Sequence, residues 1–328
     1  MMSNPIDKIK RELNHCLVET SFHLGEKYRG KVRDTYILNP DTLALITTDR
    51  QSAFDRVLAA VPFKGQVLNL VSAWWFKKTQ HIIANHMISV PDPNVLIAKK
   101  CRVFPVEFVV RGYITGTTST SLWTHYQQGV RHYCGHDLAD GLVKNQQLSQ
   151  PILTPTTKDV NHDRPISAAD IINEGLMTEA EWQYASTAAM RLYHYGAEVA
   201  KDHGLILVDT KYEMGVDGEG NIRLVDEIHT PDSSRYWILD SYLSRFQQQQ
   251  EPENVDKEFL RLWFVEHCDP YHDKELPKAP EELVITLASR YIQLYEMITG
   301  NHFPFTESKE PVLDRILRHM EAYQGALV

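Results

Sequence analysis

Apolar residues at Ile6, Ile9, Leu13 and Leu17 recur at helical spacing, so the chain opens with a short amphipathic helix. The period changes in EKYRGKVRDTYIL (26–38), which predicts two short strands about a turn at Gly30. TLALITTDR (42–50) predicts a strand that ends in polar residues. The helical period returns in QVLNLVSAWWFKKTQHII (66–83), through Val67, Val71, Trp74, Trp75 and Lys78. KKCRVFPVEFVVRGYI (99–114), rich in Val and Phe, predicts one or two strands broken near Pro105.

Residues 167–204 are mainly helical in pattern, with Thr178 and Glu181 at capping-box spacing and Gly204 placed to end the helix. A hairpin follows in LVDTKYEMGVDGEGNIRLVDEIHTPDSSRYW (207–237), its turn marked by VDGEGN. The glutamine run 247–250 and Pro252 read as an exposed connector. PEELVITLASRYIQLYEMITG (280–300) predicts an amphipathic helix stopped by Gly300. A strand-rich first half, a mixed middle and a helical tail make the class α+β, without regular βαβ alternation.

Charge is misplaced on the hairpin. Asp209, Lys211 and Glu213 share one face of an extended strand. The segment leading into it, GLILV, is apolar on both faces, so the strand enters from a buried interior. On the returning stretch, alternation puts Asp226 on the side of Ile222 and Leu224. A carboxylate there is costly unless it is paired or bound to a cation. Two carboxylates on neighbouring strands, with a lysine between, can hold Mg²⁺ against a triphosphate. The competing reading is a solvated edge with one salt bridge. Asp232, Ser233, Ser234 and Arg235 form a turn beyond it, which suits either an Asx/Ser turn or an anion site at Arg235.

Other segments carry donors for anions. YRGKVRDTY (28–36) sets Lys31 and Arg33 on a glycine turn that can fold over phosphates, though it is no Walker loop. TTDRQSAFD (47–55) brings Asp49, Arg50, Ser52 and Asp55 to the end of a strand. VVRGYITGTTSTS (109–121) has Arg111, Gly116 and hydroxyls from Thr117 onward, which suits a phosphate monoester as well as a plain helix N-cap. Lys158 stands alone in TPTTKDVNHD. His132, Cys134 and His136 alternate in HYCGH, short of a fourth zinc ligand.

The bulk numbers narrow the class. At 328 residues the chain is long for one core. A net charge of -9 argues against a nucleic-acid binder but leaves room for a local anion pocket. The four cysteines are scattered without a C-x-x-C pair, which fits a reducing compartment. With no apolar run of membrane length and no leader-like start, the expectation is a soluble cytoplasmic protein with no membrane partner, as a monomer or homo-oligomer.

In order along residues 25–240, GKVRDTY, TTDRQSAFD, PVEFVVRGYITG, PILTPTTK, LVDTKYEMG and LVDEIHTPDSSRYW closely resemble the SAICAR synthetase family. The resemblance implies a two-lobed α+β fold related to ATP-grasp enzymes, with antiparallel sheets and a helical C-terminal tail. It implies a nucleotide-binding lobe over 1–110 and a second lobe with the substrate site over 111–328. The implied reaction joins carboxyaminoimidazole ribonucleotide to L-aspartate through an acyl phosphate, with ATP and Mg²⁺. Carried onto this chain, Lys31, Arg33 and Lys211 would contact ATP phosphates, and Glu107 would lie by the nucleoside. Glu213 and Asp226 would hold Mg²⁺. Arg111, Arg235 and a hydroxyl from Thr117 to Ser119 would bind the ribonucleotide phosphate. Asp209, Lys158 and the loop with Asp49, Ser52 and Asp55 would shape the imidazole and aspartate sites. The family commonly has Ser directly after the glycine where this chain has Thr117. A small-molecule kinase shares the D-x-K pattern but leaves TTDRQSAFD and PILTPTTK unexplained. A non-catalytic nucleotide sensor leaves the costly charges at Lys211, Glu213 and Asp226 unexplained.

Overall fold

Residues 4–54, 56–118, 120–158, 163–255, 257–306 and 310–325 are described by the structure, a computed structural model of the chain. Helix α1 (Pro5–Glu12) is capped by Asn4, whose side chain accepts the Ile6 N–H. It is shorter than its apolar spacing implies, since Leu13 and Leu17 lie beyond its end. β1 (Glu26–Arg29), β2 (Arg33–Asn39) and β3 (Thr42–Thr47) form an antiparallel meander. β4 (Arg50–Ala53) and β5 (Arg56–Ala60) form a two-stranded sheet of their own among the described residues. After α2 (Lys64–Lys78), β6 (Met87–Asp92) and β7 (Val95–Lys99) complete a five-stranded sheet in the order β1-β2-β3-β7-β6.

β8 (Cys101–Ile114) then opens a second sheet. Pro105 does not break it. The residue falls where β8 shifts register against its neighbour, between the pairs Glu213↔Glu107 and Gly215↔Val103, so its missing N–H is tolerated. Next come α3 (Leu122–Gln127), β9 (His132–Tyr133), β10 (His136–Asp137), β11 (Gln146–Leu153), β12 (Thr156–Thr157), α4 (Ala168–Asn173) and α5 (Glu179–Asp202). β13 (Leu205–Asp217), β14 (Ile222–Val225) and β15 (Ser234–Ile238) finish the sheet, and α6 (Leu239–Gln247), α7 (Glu258–His267), α8 (Glu281–Thr299) and α9 (Val312–Gly325) form the tail. The second sheet runs β11-β8-β13-β14, with β12 also on β8 and β15 also on β13.

The chain changes sheets at Lys100, between β7 and β8. One core also spans both halves: Leu68 and Trp75 of α2 share it with Phe108, Leu192, Tyr212 and Tyr291. The capping box of α5 forms between Thr178 and Glu181, and Gly300 ends α8 at φ 69°.

Gly196 interrupts α5 for a packing reason. A Cβ there would lie 2.3 Å from Cε1 of the buried His229 ring. Gly196→Ala is therefore expected to destabilise the fold by about 1–3 kcal/mol in urea unfolding, the overpacking outweighing the gain in helix propensity of about 1 kcal/mol. A neutral or stabilising result would mean the ring can move.

Candidate active site

β13 supplies the spine. Its residues Tyr212 and Met214 are wholly buried on one face, so Asp209, Lys211 and Glu213 occupy the other. Register repeats this on the neighbours: Arg111 and Glu107 of β8 stand opposite Asp209 and Glu213, and Arg235 of β15 stands opposite Asp209. One sheet face thus carries charge in two groups from Asp209 to Glu213, about 13 Å along the strand at about 3.3 Å per residue, with Lys211 midway.

At the first group, Lys211 Nζ lies 2.6 Å from Glu213, 3.1 Å from Glu107 and 3.6 Å from Asp226. Lys158 pairs with the other oxygen of Glu213. Arg33 spans Asp226 and Glu227, the latter at 2.7 Å. Burial opposes the charge on Lys211, yet Glu213, Glu107 and Asp226 hold it well above the ordinary lysine range. Burial likewise opposes the carboxylate of Asp226, but Arg33 first, then Lys211 and Lys158, bring it down to about 2. These groups open on a cavity of about 560 Å³ whose lining also includes apolar Leu43, Leu45, Val103 and Val225. Lys31 lines it from the β1–β2 turn. Glu107 does not line the cavity; it accepts from Lys211 and from the Thr156 hydroxyl.

Asp226 reaches the cluster differently from the alternation expectation. β14 stops at Val225, and Asp226 turns with φ 64°. A left-handed turn, rather than strand register, aims its carboxylate at Arg33 and Lys211.

At the second group, Asp209 Oδ2 pairs with Arg235 and lies 3.6 Å from Arg111. Arg111 also donates to Thr154 Oγ1 at 2.8 Å and to the Thr120 carbonyl. Thr117 donates to Glu258 at 2.9 Å, and Thr117, Glu258 and Arg235 line a cavity of about 160 Å³. Gly116, at φ 100°, brings the backbone beside Arg235: a Cβ there would meet Nη2 at 3.4 Å and Ser121 Oγ at 2.4 Å. Ser119 and Asp55 lie outside the described residues.

Asp49 and Ser52 line neither cavity. Both oxygens of Asp49 accept backbone N–H groups, from Leu17 at 2.7 Å and Gly65 at 2.9 Å, so it fastens the N-terminal segment to α2. Its neighbour Arg50 does more for the site. That buried side chain donates to the carbonyls of Gly30 and Lys31 and pairs with Asp34, which pins the β1–β2 turn bearing Lys31 and Arg33. His132 bonds Asp137, and His136 bonds the Leu153 carbonyl.

Sequence reasoning passed over a third cluster. Asp232 accepts from Lys64 at 2.7 Å and Tyr291 at 2.7 Å, with Lys257 at 3.5 Å. Lys64 carries no sequence signal beyond sitting before a glycine, and Lys257 and Tyr291 come from the tail. Glu227 was passed over as well: it accepts from Arg33 and from Thr230 and so joins Arg33 to the DSSR turn.

Three buried groups set a pH dependence. Burial pushes His86 down to about 4 and His229 down to about 3. The unfolded chain titrates both near about 6.5, so it binds more protons below that pH and stability falls as pH drops. Burial pushes Asp49 up to about 6, which contributes stability at low pH that is lost as pH rises through that value. Two groups oppose one, so unfolding free energy is expected to fall from about pH 6.5 to about pH 4.5, with a shallower slope in His229→Asn. Urea titrations across that range check it; a flat profile would mean that the histidines are charged in the fold.

A family model described as SAICAR synthetase matches residues 26–278. The chain is 66% identical over 310 residues to a Legionella pneumophila (strain Lens) protein named phosphoribosylaminoimidazole-succinocarboxamide synthase, covering 94% of this chain and 99% of that one. A chloroplastic protein of the same name from Arabidopsis thaliana is 60% identical, over 95% of this chain and 77% of its own. The structure of SAICAR synthase from Saccharomyces cerevisiae complexed with SAICAR matches with TM-score 0.75 and 31% identity, over 88% of this chain and 100% of that one. A type-2 SAICAR synthetase in complex with ADP matches with TM-score 0.66 and 25% identity, over 85% and 100%.

Proposed function

Because the chain belongs to the SAICAR synthetase family of ATP-dependent ligases, we propose that it joins carboxyaminoimidazole ribonucleotide to L-aspartate, giving SAICAR, ADP and phosphate in de novo purine biosynthesis. The observation that carries the reading is the shared sheet face. It sets two arginines, suited to a phosphate monoester, two residues (about 7 Å) along the strand from Lys211 and four residues (about 13 Å) from Glu213 and Glu107, a lysine and carboxylates suited to a nucleotide triphosphate.

A carboxylate is a poor acyl donor at neutral pH. In this reading an oxygen of the imidazole carboxylate takes the terminal phosphoryl of ATP, and ADP leaves with the bonding pair. The aspartate amine then attacks the acyl carbon, phosphate departs, and the amine gives up a proton. Lys31, Arg33 and Lys211 hold the phosphates of ATP and spread the charge that develops during transfer. Arg111, Arg235 and Thr117 hold the ribonucleotide phosphate, with Asp209 orienting both arginines. Lys158 serves the acyl end beside Glu213, and the turn after β3 shapes the aspartate site. Glu213 and Asp226 offer hard oxygen donors at the cavity edge, which fits Mg²⁺. When bound, that ion would neutralise phosphate charge. A cytoplasmic location, lobes over 1–110 and 111–328, and kinship with ATP-grasp enzymes belong to the same reading. No helix among the described residues is long and apolar enough to cross a membrane.

ADP release with both substrates, and with each alone, tests the proposal. Steady turnover that requires both supports the ligase. Turnover without aspartate, leaving a stable phosphorylated product, would make it a kinase. For the second group, Arg235→Lys is expected to raise KM for the ribonucleotide about tenfold with little change in kcat, because an ammonium cannot fork onto a phosphate. Unchanged KM would remove Arg235 from that role.

A further inference from the structure

The turn from Asp226 to His229 is bent twice into the left-handed region, at Asp226 (φ 64°) and at His229 (φ 53°), neither of them glycine. Such a residue is strained and persists only where its surroundings hold it. At Asp226 the holding group is Arg33. At His229 it is the opposite face of the sheet. The ring is wholly buried, its Nε2 is hydrogen-bonded to Tyr212 Oη, and its edge meets the Trp75 ring with centroids 4.6 Å apart. Gly196 leaves the space it fills. The His229 carbonyl accepts from Tyr236 Oη at 2.8 Å, so both ends of the residue are fixed.

Tyr212 lies on β13 between Lys211 and Glu213, with its side chain on the other face. The hydrogen bond therefore links the strand that carries Lys211 and Glu213 to the turn that carries Asp226 and Glu227. From this geometry we propose that Tyr212 and His229 form a positioning pair. Acting through the sheet, the pair sets the Asp226 and Glu227 carboxylates at their working distance from Lys211 and Glu213. Neither residue touches the cavity. The inference rests on the reading of Glu213 and Asp226 as the metal-holding carboxylates.

The pair is tested with Tyr212→Phe, His229→Asn, His229→Ala and the double variant Tyr212→Phe/His229→Ala. Asn tolerates the left-handed conformation and keeps a polar group, so it is the conservative replacement. Two readouts are used: the Mg²⁺ concentration for half-maximal turnover, and calorimetric affinity for Mn²⁺–ADP without the other substrates. Tyr212→Phe and His229→Ala are each expected to raise the Mg²⁺ requirement and weaken Mn²⁺–ADP binding about tenfold. The double variant should be little worse than either, as one unit requires. His229→Asn should recover part of the loss. Tyr212→Phe keeps the ring and leaves no cavity, so it carries the test if His229→Ala does not fold. A lower melting temperature with unchanged Mg²⁺ requirement and Mn²⁺–ADP affinity would overturn the proposal. Failure of the ligase reading would be seen separately, as no turnover by the unsubstituted protein.

Discussion

Glu213→Gln is expected to lower turnover by about 10²–10³-fold, seen chiefly as a raised Mg²⁺ requirement. Gln keeps the size of Glu and removes its charge. The two cations that Glu213 now serves, Lys211 and Lys158, are partly open to solvent, so water takes over part of their solvation in the variant. Glu213 itself is buried, so the stability cost is expected at about 1–3 kcal/mol, the range for leaving a buried polar partner less well satisfied. A Mg²⁺ titration of activity beside a melting curve checks both halves. Near-normal turnover at low Mg²⁺ would take the metal role away from Glu213.

Lys211→Met should cost more on both measures. Lys211 stands among Glu107, Glu213 and Asp226, and burial makes each remaining charge dearer once the central cation is gone. Loss of one partner from a buried ion cluster costs about 3–5 kcal/mol, so the unfolding midpoint should drop clearly. Single-turnover ADP formation should fall about 10³-fold, since the same ammonium neutralises the phosphoryl group in flight. Stability lost with turnover kept would make Lys211 structural. The two variants together separate the roles, because the first is mainly a loss of metal and the second a loss of both charge balance and catalysis.

Local signals carried much of the fold. Period changes predicted β1, β2, α5 and α8, and the capping box and Gly300 marked helix ends within a residue or two. The alternating charges on β13 were legible because strand geometry alone puts them on one face. Asp226 was legible as a buried carboxylate, but its direction depends on a backbone angle that no alternation predicts. Asp49 illustrates the opposite limit. A carboxylate at a strand end reads the same whether it faces a cleft or takes two backbone N–H groups, and here it takes the N–H groups. Lys64, Lys257 and Tyr291 were silent because they converge on Asp232 from three distant parts of the chain, and each is ordinary in its own window.

That convergence bears on how the protein can be cut. The family match ends at residue 278, which would mark the last two helices as a dispensable extension in any minimal domain. Yet Tyr291 of α8 reaches Asp232 in the DSSR turn, and Arg315 of α9 forks onto Asp92 of the first sheet at 2.9 and 3.1 Å. The extension thus buckles one sheet to the other like a belt. Trimming to the matched region would leave the two walls of the cleft joined by the core around α2 and by the pairs of Arg33 and Lys64, but without this outer strap, and a fusion partner joined after residue 278 would inherit a cleft held from the inside alone.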